Sequence, residues 1–230
     1  MNYPGQDDYI DIHTHGSAPE PGVFMVETLM AHEEKTPVEL PGITYIAGIH
    51  PWHLNEDNYE RQISYVERYA GHDTVAAIGE AGFDRLRGAS PDLQRKVFRE
   101  QAAIAGEHGK PMVIHCVRAW DELLQERKLL RPSLPWLVHG FRGKPALAGQ
   151  LIEKGIYLSF WFEFIMKPES RDLIRSLPSG RIFLETDGAD IDIRDIYKKV
   201  STDMEIAEDK LKAIIYSNFH EFFKLNRYSA

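Results

Sequence analysis

The sequence predicts an α/β fold in which helices cover a parallel sheet. Short apolar runs alternate along the chain with amphipathic stretches, the pattern of consecutive βαβ units. Eight of these runs have the length of a strand, and eight parallel strands close a TIM-like (β/α) barrel. The 230 residues, 43% of them hydrophobic, suffice for one large core or two small ones. We expect a single barrel domain over residues 1–230.

The eight candidate strands are six to nine residues long: 9–15, 23–30, 44–50, 74–82, 111–116, 135–141, 155–160 and 181–187. Apolar positions at helical spacing predict helices at 57–70, 91–109, 118–130, 144–154 and 168–177, and a final helix at 206–225. Ser90 and Pro91 supply an N-cap and a favoured first residue, and Pro145 and Pro168 open helices in the same way. The apolar stripe of the last helix is typical of a core-facing surface and comprises Ile206, Leu211, Ile214, Ile215, Phe219, Phe222 and Phe223.

The first two links between strands are short for a parallel sheet. GSAPEPG, residues 16–22, joins the first strand to the second, whereas a parallel crossover usually needs a dozen or more residues. The next link, residues 31–43, is also short and contains two prolines. We therefore expect the early helices to be reduced and the second strand to run antiparallel to its neighbours.

The charge and cysteine content narrow the class of protein. The formal net charge of -8 is opposite to that of a dedicated duplex-binding module. Cys116 is the only cysteine, which is consistent with a reducing compartment. The first ten residues lack a signal-peptide pattern, and no run approaches the ~18 apolar residues of a membrane span. The sequence thus predicts a cytoplasmic enzyme with no membrane association and no obligate protein partner.

DIHTHG, residues 11–16, places two histidines at the end of the first candidate strand. Side chains at i and i+2 of a strand face the same side, so His13 and His15 can approach one metal ion. Residues that can bind metal also stand at or near the ends of four other candidate strands: Glu80, His115, His139 and Asp187. In barrel enzymes the C-terminal ends of the strands form the catalytic face. Taken singly, His115 and His139 also suit hydrogen-bonded interior positions, and Asp187 suits a turn cap.

Four imidazoles and two carboxylates match the needs of a hydrolytic centre with two metal ions. Seven ordered blocks, DIHTH, GIHPWH, AIGEAGFD, PMVIHC, VHGFRG, LSF and LETD, span residues 11–187. In these blocks the sequence resembles the TatD family of metal-dependent hydrolases, within the amidohydrolase-like barrels. The resemblance implies two divalent ions, the first held by His13, His15, Glu80 and Asp187 and the second by Glu80, His115 and His139. Mixed imidazole and carboxylate ligands accept Zn, Mn, Ni or Mg, so the identity of the metal stays open.

The same resemblance implies roles in catalysis. It implies hydrolysis by a metal-activated water, with Asp187 as general base and Glu80 as the carboxylate shared by the ions. His50 matches a family histidine near the scissile phosphate, where it orients substrate or stabilises developing charge. Asp84 belongs to the same block as Glu80 and is expected to steady the metal ligands through hydrogen bonds.

Two arginines depart from the family pattern. Arg118, a candidate substrate-binding residue, lies one residue later than the arginine that commonly follows the fifth strand. Arg142, in VHGFRG, is a candidate phosphate clamp and equally a candidate for an inert surface residue.

Three functions are compatible with these features. The first is a TatD-type deoxyribonuclease that cleaves phosphodiester bonds of DNA. The second is a hydrolase of a small phosphoester, ester or amide, which the acidic charge and the lack of a basic stripe favour. The third belongs to another class, a metal-stabilised barrel that binds a ligand without turnover.

Overall fold

The computed structural model describes residues 2–224 and contains eight strands in one sheet. The strands follow one another in the sheet in chain order, and each pair with a defined register is parallel. The first and last strands are in contact, which gives the TIM-like (β/α) barrel that the sequence predicts. In chain order the strands are β1 (Tyr9–Thr14), β2 (Val23–Met30), β3 (Ile43–Gly48), β4 (Val75–Asp84), β5 (Met112–Val117), β6 (Trp136–Val138), β7 (Ile156–Trp161) and β8 (Ile182–Glu185).

The helices follow the later strands. Within residues 2–224 they are α1 (Tyr59–Ala70), α2 (Pro91–Glu107), α3 (Trp120–Leu130), α4 (Pro145–Glu153), α5 (Phe162–Ile165), α6 (Pro168–Ser176), α7 (Ile193–Met204) and α8 (Glu208–Phe222). The Ser90 side chain accepts a hydrogen bond from the backbone N–H of Leu93, which confirms the predicted N-cap of α2. The sequence prediction omitted α5 and α7. The α7 sequence does carry a signal, because the Asp192 side chain caps its first turn and its apolar residues recur at helical spacing.

The predicted antiparallel direction of the second strand is wrong. β2 pairs parallel to β1, with Tyr9 opposite Val23 and Asp11 opposite Met25. No helix occurs in residues 15–22, which lie entirely within the described chain, so the first crossover is a bare loop. Eight extended residues span about 26–29 Å, whereas a six-residue strand such as β1 is only about 17 Å long. The loop therefore returns the chain to the start of β2 without a helix, and the early helices are reduced as predicted.

The described chain divides into two compact units. The first unit contains Thr28–Glu39 and Thr44–Val138, with β3 to β6 and helices α1 to α3. The second contains Asn2–Glu27, Leu40–Ile43 and the chain from His139 onward, with β1, β7, β8 and helices α4 to α8. The single domain over residues 1–230 stays a prediction. Among the helices of residues 2–224, none combines the length and the apolar character needed to cross a membrane.

The last helix packs into the core of the second unit as the sequence predicts. Leu211, Ile215, Phe219 and Phe222 are fully buried. The Phe219 ring meets Phe24 of β2 edge to face, at 5.4 Å between centroids. Such aromatic contacts add to the free energy of burial. Two residues of the predicted stripe, Ile206 and Ile214, are only half-buried, and position 225 of the predicted helix lies outside the described residues.

Candidate metal centre

In the second unit, the ends of β1 and β8 bring His13, His15 and Asp187 together. His13 Nε2 lies 3.5 Å from Asp187 Oδ1, and His15 Nε2 lies 3.4 Å from the same oxygen. His13 is fully buried, whereas His15 and Asp187 are half-buried. One donor atom from each residue fits within a cluster 4.8 Å across, so this group can hold a metal ion. The two histidines lie close together, as the period of a strand predicts, and their role as metal ligands stays a prediction.

A buried carboxylate, Asp11, fixes the position of the Asp187 segment. Asp11 Oδ2 accepts a hydrogen bond from the Thr186 hydroxyl at 2.6 Å, and Asp11 Oδ1 accepts one from the Thr186 backbone N–H at 3.1 Å. The Asp187 N–H donates to the His13 carbonyl at 3.1 Å. Burial raises the pKa of Asp11 to about 7, although the hydrogen bonds from Thr186 act in the opposite direction. These bonds lock the end of β8 to β1, so Asp187 faces the two histidines.

Gly188 makes this approach sterically feasible. Its φ is +71°, in the left-handed region that favours glycine, and a Cβ there would lie 3.1 Å from the His15 Cβ. The backbone after Asp187 can therefore turn close to His15.

His139 lies next to His13 in the same unit, with 4.2 Å between the ring centroids. Its Nδ1 is 3.6 Å from Oε1 of Glu185, a fully buried carboxylate at the end of β8. Glu185 also accepts hydrogen bonds from the Ser159 hydroxyl and from the Gly140 N–H, the latter at 2.6 Å. A carboxylate beside a histidine orients its ring, so Glu185 is placed to position His139.

In the first unit, His50, Glu80 and His115 form a second group of donors. His50 Nε2 and His115 Nδ1 each lie 3.1 Å from Glu80 Oε1 and 3.2 Å from one another. All three residues are buried, and Glu80 is only 2% exposed. One donor atom from each fits within 4.8 Å of the others, so this group can also hold a metal ion. The family resemblance implies that His50 lies near the substrate, whereas the structure also places it among atoms that could bind a metal ion.

Asp84 orients His115 from the other side of its ring. His115 Nε2 lies 3.2 Å from Asp84 Oδ2, which also accepts a hydrogen bond from the indole Nε1–H of Trp52 at 2.6 Å. Asp84 Oδ1 accepts the backbone N–H of Leu86 at 2.7 Å. Burial raises the pKa of the Asp84 carboxyl, but the hydrogen bonds from Trp52, Leu86 and His115 outweigh that effect and hold the pKa below its usual value. Asp84 thus contacts the ring of His115, and its role in steadying a metal ligand stays a prediction.

The two candidate arginines lie on the surface. Arg118 is exposed and has a φ of +52°. Arg142 is exposed as well, with its guanidinium 5.8 Å from the centre of the Trp161 ring. The roles assigned to them in substrate binding stay predictions.

A cavity of about 280 Å³ lies beside His15 in the second unit. The short link after β1 forms part of its wall through Gly16 and Ser17, whose backbone N–H groups donate to Glu27. The segment after Asp187 forms the opposite part of the lining, with Asp190 and Ile191. The unusual early link therefore shapes a concave surface next to His15, one of the candidate metal ligands.

Sequence reasoning missed Asp11, Glu185 and Trp52. Asp11 and Glu185 belong to the quoted blocks DIHTH and LETD, and each is a carboxylate next to an apolar run. A buried carboxylate needs partners, and that rule was the available signal. The Trp52 indole gave no comparable signal, because its link to Asp84 depends on the fold.

The protein is a (β/α) barrel that carries groups of donor atoms able to hold metal ions. A family model described as TatD related DNase matches residues 27–224. The chain therefore belongs to the TatD-related DNase family.

Curated relatives agree with this assignment, and a solved structure shares the fold. An uncharacterized metal-dependent hydrolase of Bacillus subtilis, YabD, is 31% identical over 146 residues, covering 59% of this chain and 56% of the relative. A 3′-5′ ssDNA/RNA exonuclease TatD of Erwinia amylovora is 33% identical over 149 residues, covering 61% of this chain and 56% of the relative. The matched region thus spans little more than half the length of these relatives. The crystal structure of the TatD homologue YjjV of Escherichia coli shares the fold, with a TM-score of 0.75, 21% identity and coverage of 96% of this chain and 99% of that one.

Proposed function

We propose that this protein is a metal-dependent hydrolase that cleaves phosphodiester bonds of DNA. The observation that carries the proposal is the convergence of His13, His15 and Asp187 at the ends of β1 and β8, in a chain of the TatD-related DNase family. Relatives described as exonucleases acting on ssDNA and RNA favour a single-stranded nucleic acid as substrate.

The donor atoms fit a divalent ion. Ligand bonds of about 2.0–2.2 Å around a tetrahedral ion place two donors about 3.4 Å apart. The distances from Asp187 Oδ1 to the two imidazole nitrogens are 3.5 and 3.4 Å. A buried carboxylate such as Glu80, with imidazole nitrogens at 3.1 Å, also suits a cation, because an isolated buried charge is costly. The proposed ligands of two divalent ions are the six residues that the sequence predicts: His13, His15, Glu80, His115, His139 and Asp187.

The chain's own residues have distinct tasks in this proposal. Bound ions would supply Lewis acidity and would lower the pKa of the attacking water. Asp187 would accept a proton from the water, because the Asp11 and Thr186 contacts hold its half-buried carboxylate beside the two histidines. His50 would contact the phosphoryl oxygen through Nε2, the atom that also lies 3.1 Å from Glu80 Oε1, because Trp52 N–H occupies its Nδ1 at 3.1 Å. Asp84 and Glu185 hold His115 and His139 in place.

A small phosphoester, ester or amide is the second candidate substrate. The net charge of -8 opposes the approach of a long polyanion, and the cavity beside His15 holds about 280 Å³, the volume of a small ligand. The cytoplasmic location, the absence of an obligate partner and the choice among Zn, Mn, Ni and Mg stay predictions.

The test is a substrate panel under defined metal conditions. The purified protein is assayed with added Mn, Mg, Ni or Zn on short single- and double-stranded DNA and on phosphoesters, esters and amides, with Glu80→Gln and Asp187→Asn as controls. We expect DNA cleavage that a chelator and both substitutions abolish. Cleavage that persists in both variants would come from a contaminant. If no substrate is turned over, the metal-stabilised binding barrel replaces the hydrolase.

A further inference from the structure

Trp52 is exposed to an extent unusual for a tryptophan, although it borders a buried group of histidines. Its exposed fraction is 39%. The centre of its ring lies 4.8 Å from the ring of His50 and 5.5 Å from that of His115. An exposed aromatic ring at this position is accessible to a ligand that approaches the candidate catalytic groups.

The position of Trp52 is fixed by its neighbours. Its indole Nε1–H donates to Asp84 Oδ2 at 2.6 Å, and its backbone N–H donates to His50 Nδ1 at 3.1 Å. The loop after β4 packs closely against the same segment at Gly88, where the φ is +98° and a Cβ would lie 2.2 Å from the Pro51 carbonyl oxygen. A rigid ring loses little conformational entropy when a ligand stacks on it.

Arg87, on that loop, covers the indole. Its Cζ lies 4.2 Å from the centre of the Trp52 ring, and its backbone N–H donates to Asp84 Oδ1 at 3.1 Å. Arg87 is exposed. Arg85, two residues earlier, has a different environment. Its guanidinium donates hydrogen bonds to the carboxylates of Asp121 and Glu122 at 2.9 and 3.0 Å. The charge of Arg85 is neutralised locally, whereas the guanidinium of Arg87 is stacked on an aromatic.

We propose that Trp52 and Arg87 form a base-stacking subsite, in which a nucleobase next to the scissile phosphate stacks on the guanidinium–indole pair. This proposal rests on the proposed function and names the part of the substrate that the site recognises. Guanidinium planes and aromatic rings both stack bases of single-stranded nucleic acids with little sequence preference. The positive charge of Arg87 also attracts the flanking phosphate of a strand that the net charge of -8 repels.

A purely structural role for Trp52 accounts for its hydrogen bond to Asp84 but not for its exposed ring or for the guanidinium that lies over it. Support of Asp84 requires the indole N–H, which lies at one edge of the ring. It requires neither the exposed remainder of the ring nor a guanidinium stacked on it.

The test compares two single strands of equal length and charge, one with normal bases and one with abasic sugars. Binding is measured by fluorescence anisotropy in excess divalent metal with the protein carrying Asp187→Asn, which prevents turnover. Because Asp187 is itself a proposed ligand, the metal content of this variant is verified by elemental analysis. We expect the base-bearing strand to bind about tenfold more tightly, the size of one base–aromatic stack. Arg87→Ala should reduce that preference, because the guanidinium is lost and only the Trp52 indole remains to stack a base. Arg87→Lys should preserve the affinity for the abasic strand, because it keeps the charge, and show the same reduced preference for bases.

Arg85→Ala is the matched control, since it removes an exposed arginine from the same loop without touching Trp52. Equal binding of the two strands by the parent protein would overturn the subsite, as would a loss in Arg85→Ala as large as that in Arg87→Ala. Hydrolysis of both strands is measured separately with the natural residue at position 187. Failure to cleave either strand would refute the proposed function, while the binding ratio still decides the subsite.

Discussion

The contact between Asp11 and Thr186 should behave as one energetic unit that holds Asp187 in place. The two residues are 175 positions apart in the chain and connect β1 to the end of β8. The perturbations are Thr186→Val, which removes the hydroxyl at nearly constant volume, Asp11→Ala, and the two combined.

The magnitudes follow from the hydrogen bonds that each change removes. Thr186→Val loses the 2.6 Å bond from the hydroxyl to the carboxylate, about 2 kcal/mol for a bond to a charged group. Asp11→Ala loses the same bond and also leaves the buried Thr186 N–H, now 3.1 Å from Oδ1, without its acceptor, for about 4 kcal/mol in total. The double variant should cost about 4 kcal/mol and not the sum of about 6, because the shared bond is lost only once.

The assay is urea unfolding of the four proteins at pH 8, where the Asp11 carboxyl, with a pKa of about 7, is mainly ionised. The affinity for zinc, measured by competition with a chelator, should fall about 10- to 100-fold in each variant, as is usual when a group behind a metal ligand is lost. If the effects of the two substitutions on the free energy of unfolding add to within about 0.5 kcal/mol, the proposed coupling of Asp11 and Thr186 is refuted. Unchanged zinc affinity would show that the contact between Asp11 and Thr186 does not position Asp187.

Three further predictions concern separate parts of the molecule. His50→Ala should lower kcat about 10²- to 10³-fold while the metal content, measured by elemental analysis, stays unchanged. A fall in metal content would instead show that His50 is a metal ligand. Burial lowers the pKa of Lys110 to about 8 from 10.5, so the unfolded chain binds more protons between these values and stability should rise with pH there. After allowance for the partial exposure of Lys110, the free energy of unfolding should rise by about 1–2 kcal/mol. Urea unfolding from pH 7.5 to 10.5 should show this rise in the natural protein and not in Lys110→Gln. The same dependence of stability on pH in both proteins would contradict the prediction. Phe219→Ala should cost about 3–5 kcal/mol in thermal unfolding with unchanged metal content, and a cost under about 1 kcal/mol would show that the aromatic cluster does not support the core.

The sequence predicted most elements of the fold because their signals are local. β2 occupies the residues predicted for it, and α2 begins at the predicted proline behind its Ser90 cap. The predicted direction of β2 was wrong because the true direction depends on how far a loop without a helix can reach. The usual length of a helical crossover does not give that distance. α7 was overlooked although Asp192 and its apolar spacing were visible in the sequence.

The candidate ligands were predictable for a similar reason. His13 and His15 follow from the period of a strand, and the remaining ligands follow from their positions at strand ends together with the family blocks. The distances that join them to Asp187 arise only when β8 meets β1, after more than 170 residues of intervening chain.

By itself, the sequence determined the barrel class, the strand positions and the residue types able to bind metal, because periodicity, capping and ligand chemistry are properties of short segments. Only the tertiary structure decided the parallel direction of β2, the hydrogen bond from Thr186 to Asp11 and the stacking of Arg87 on Trp52. Each of these depends on groups distant in the chain or on the path of a loop. Such distances are fixed by packing, since a buried polar group finds its partner only after the surrounding strands have come together.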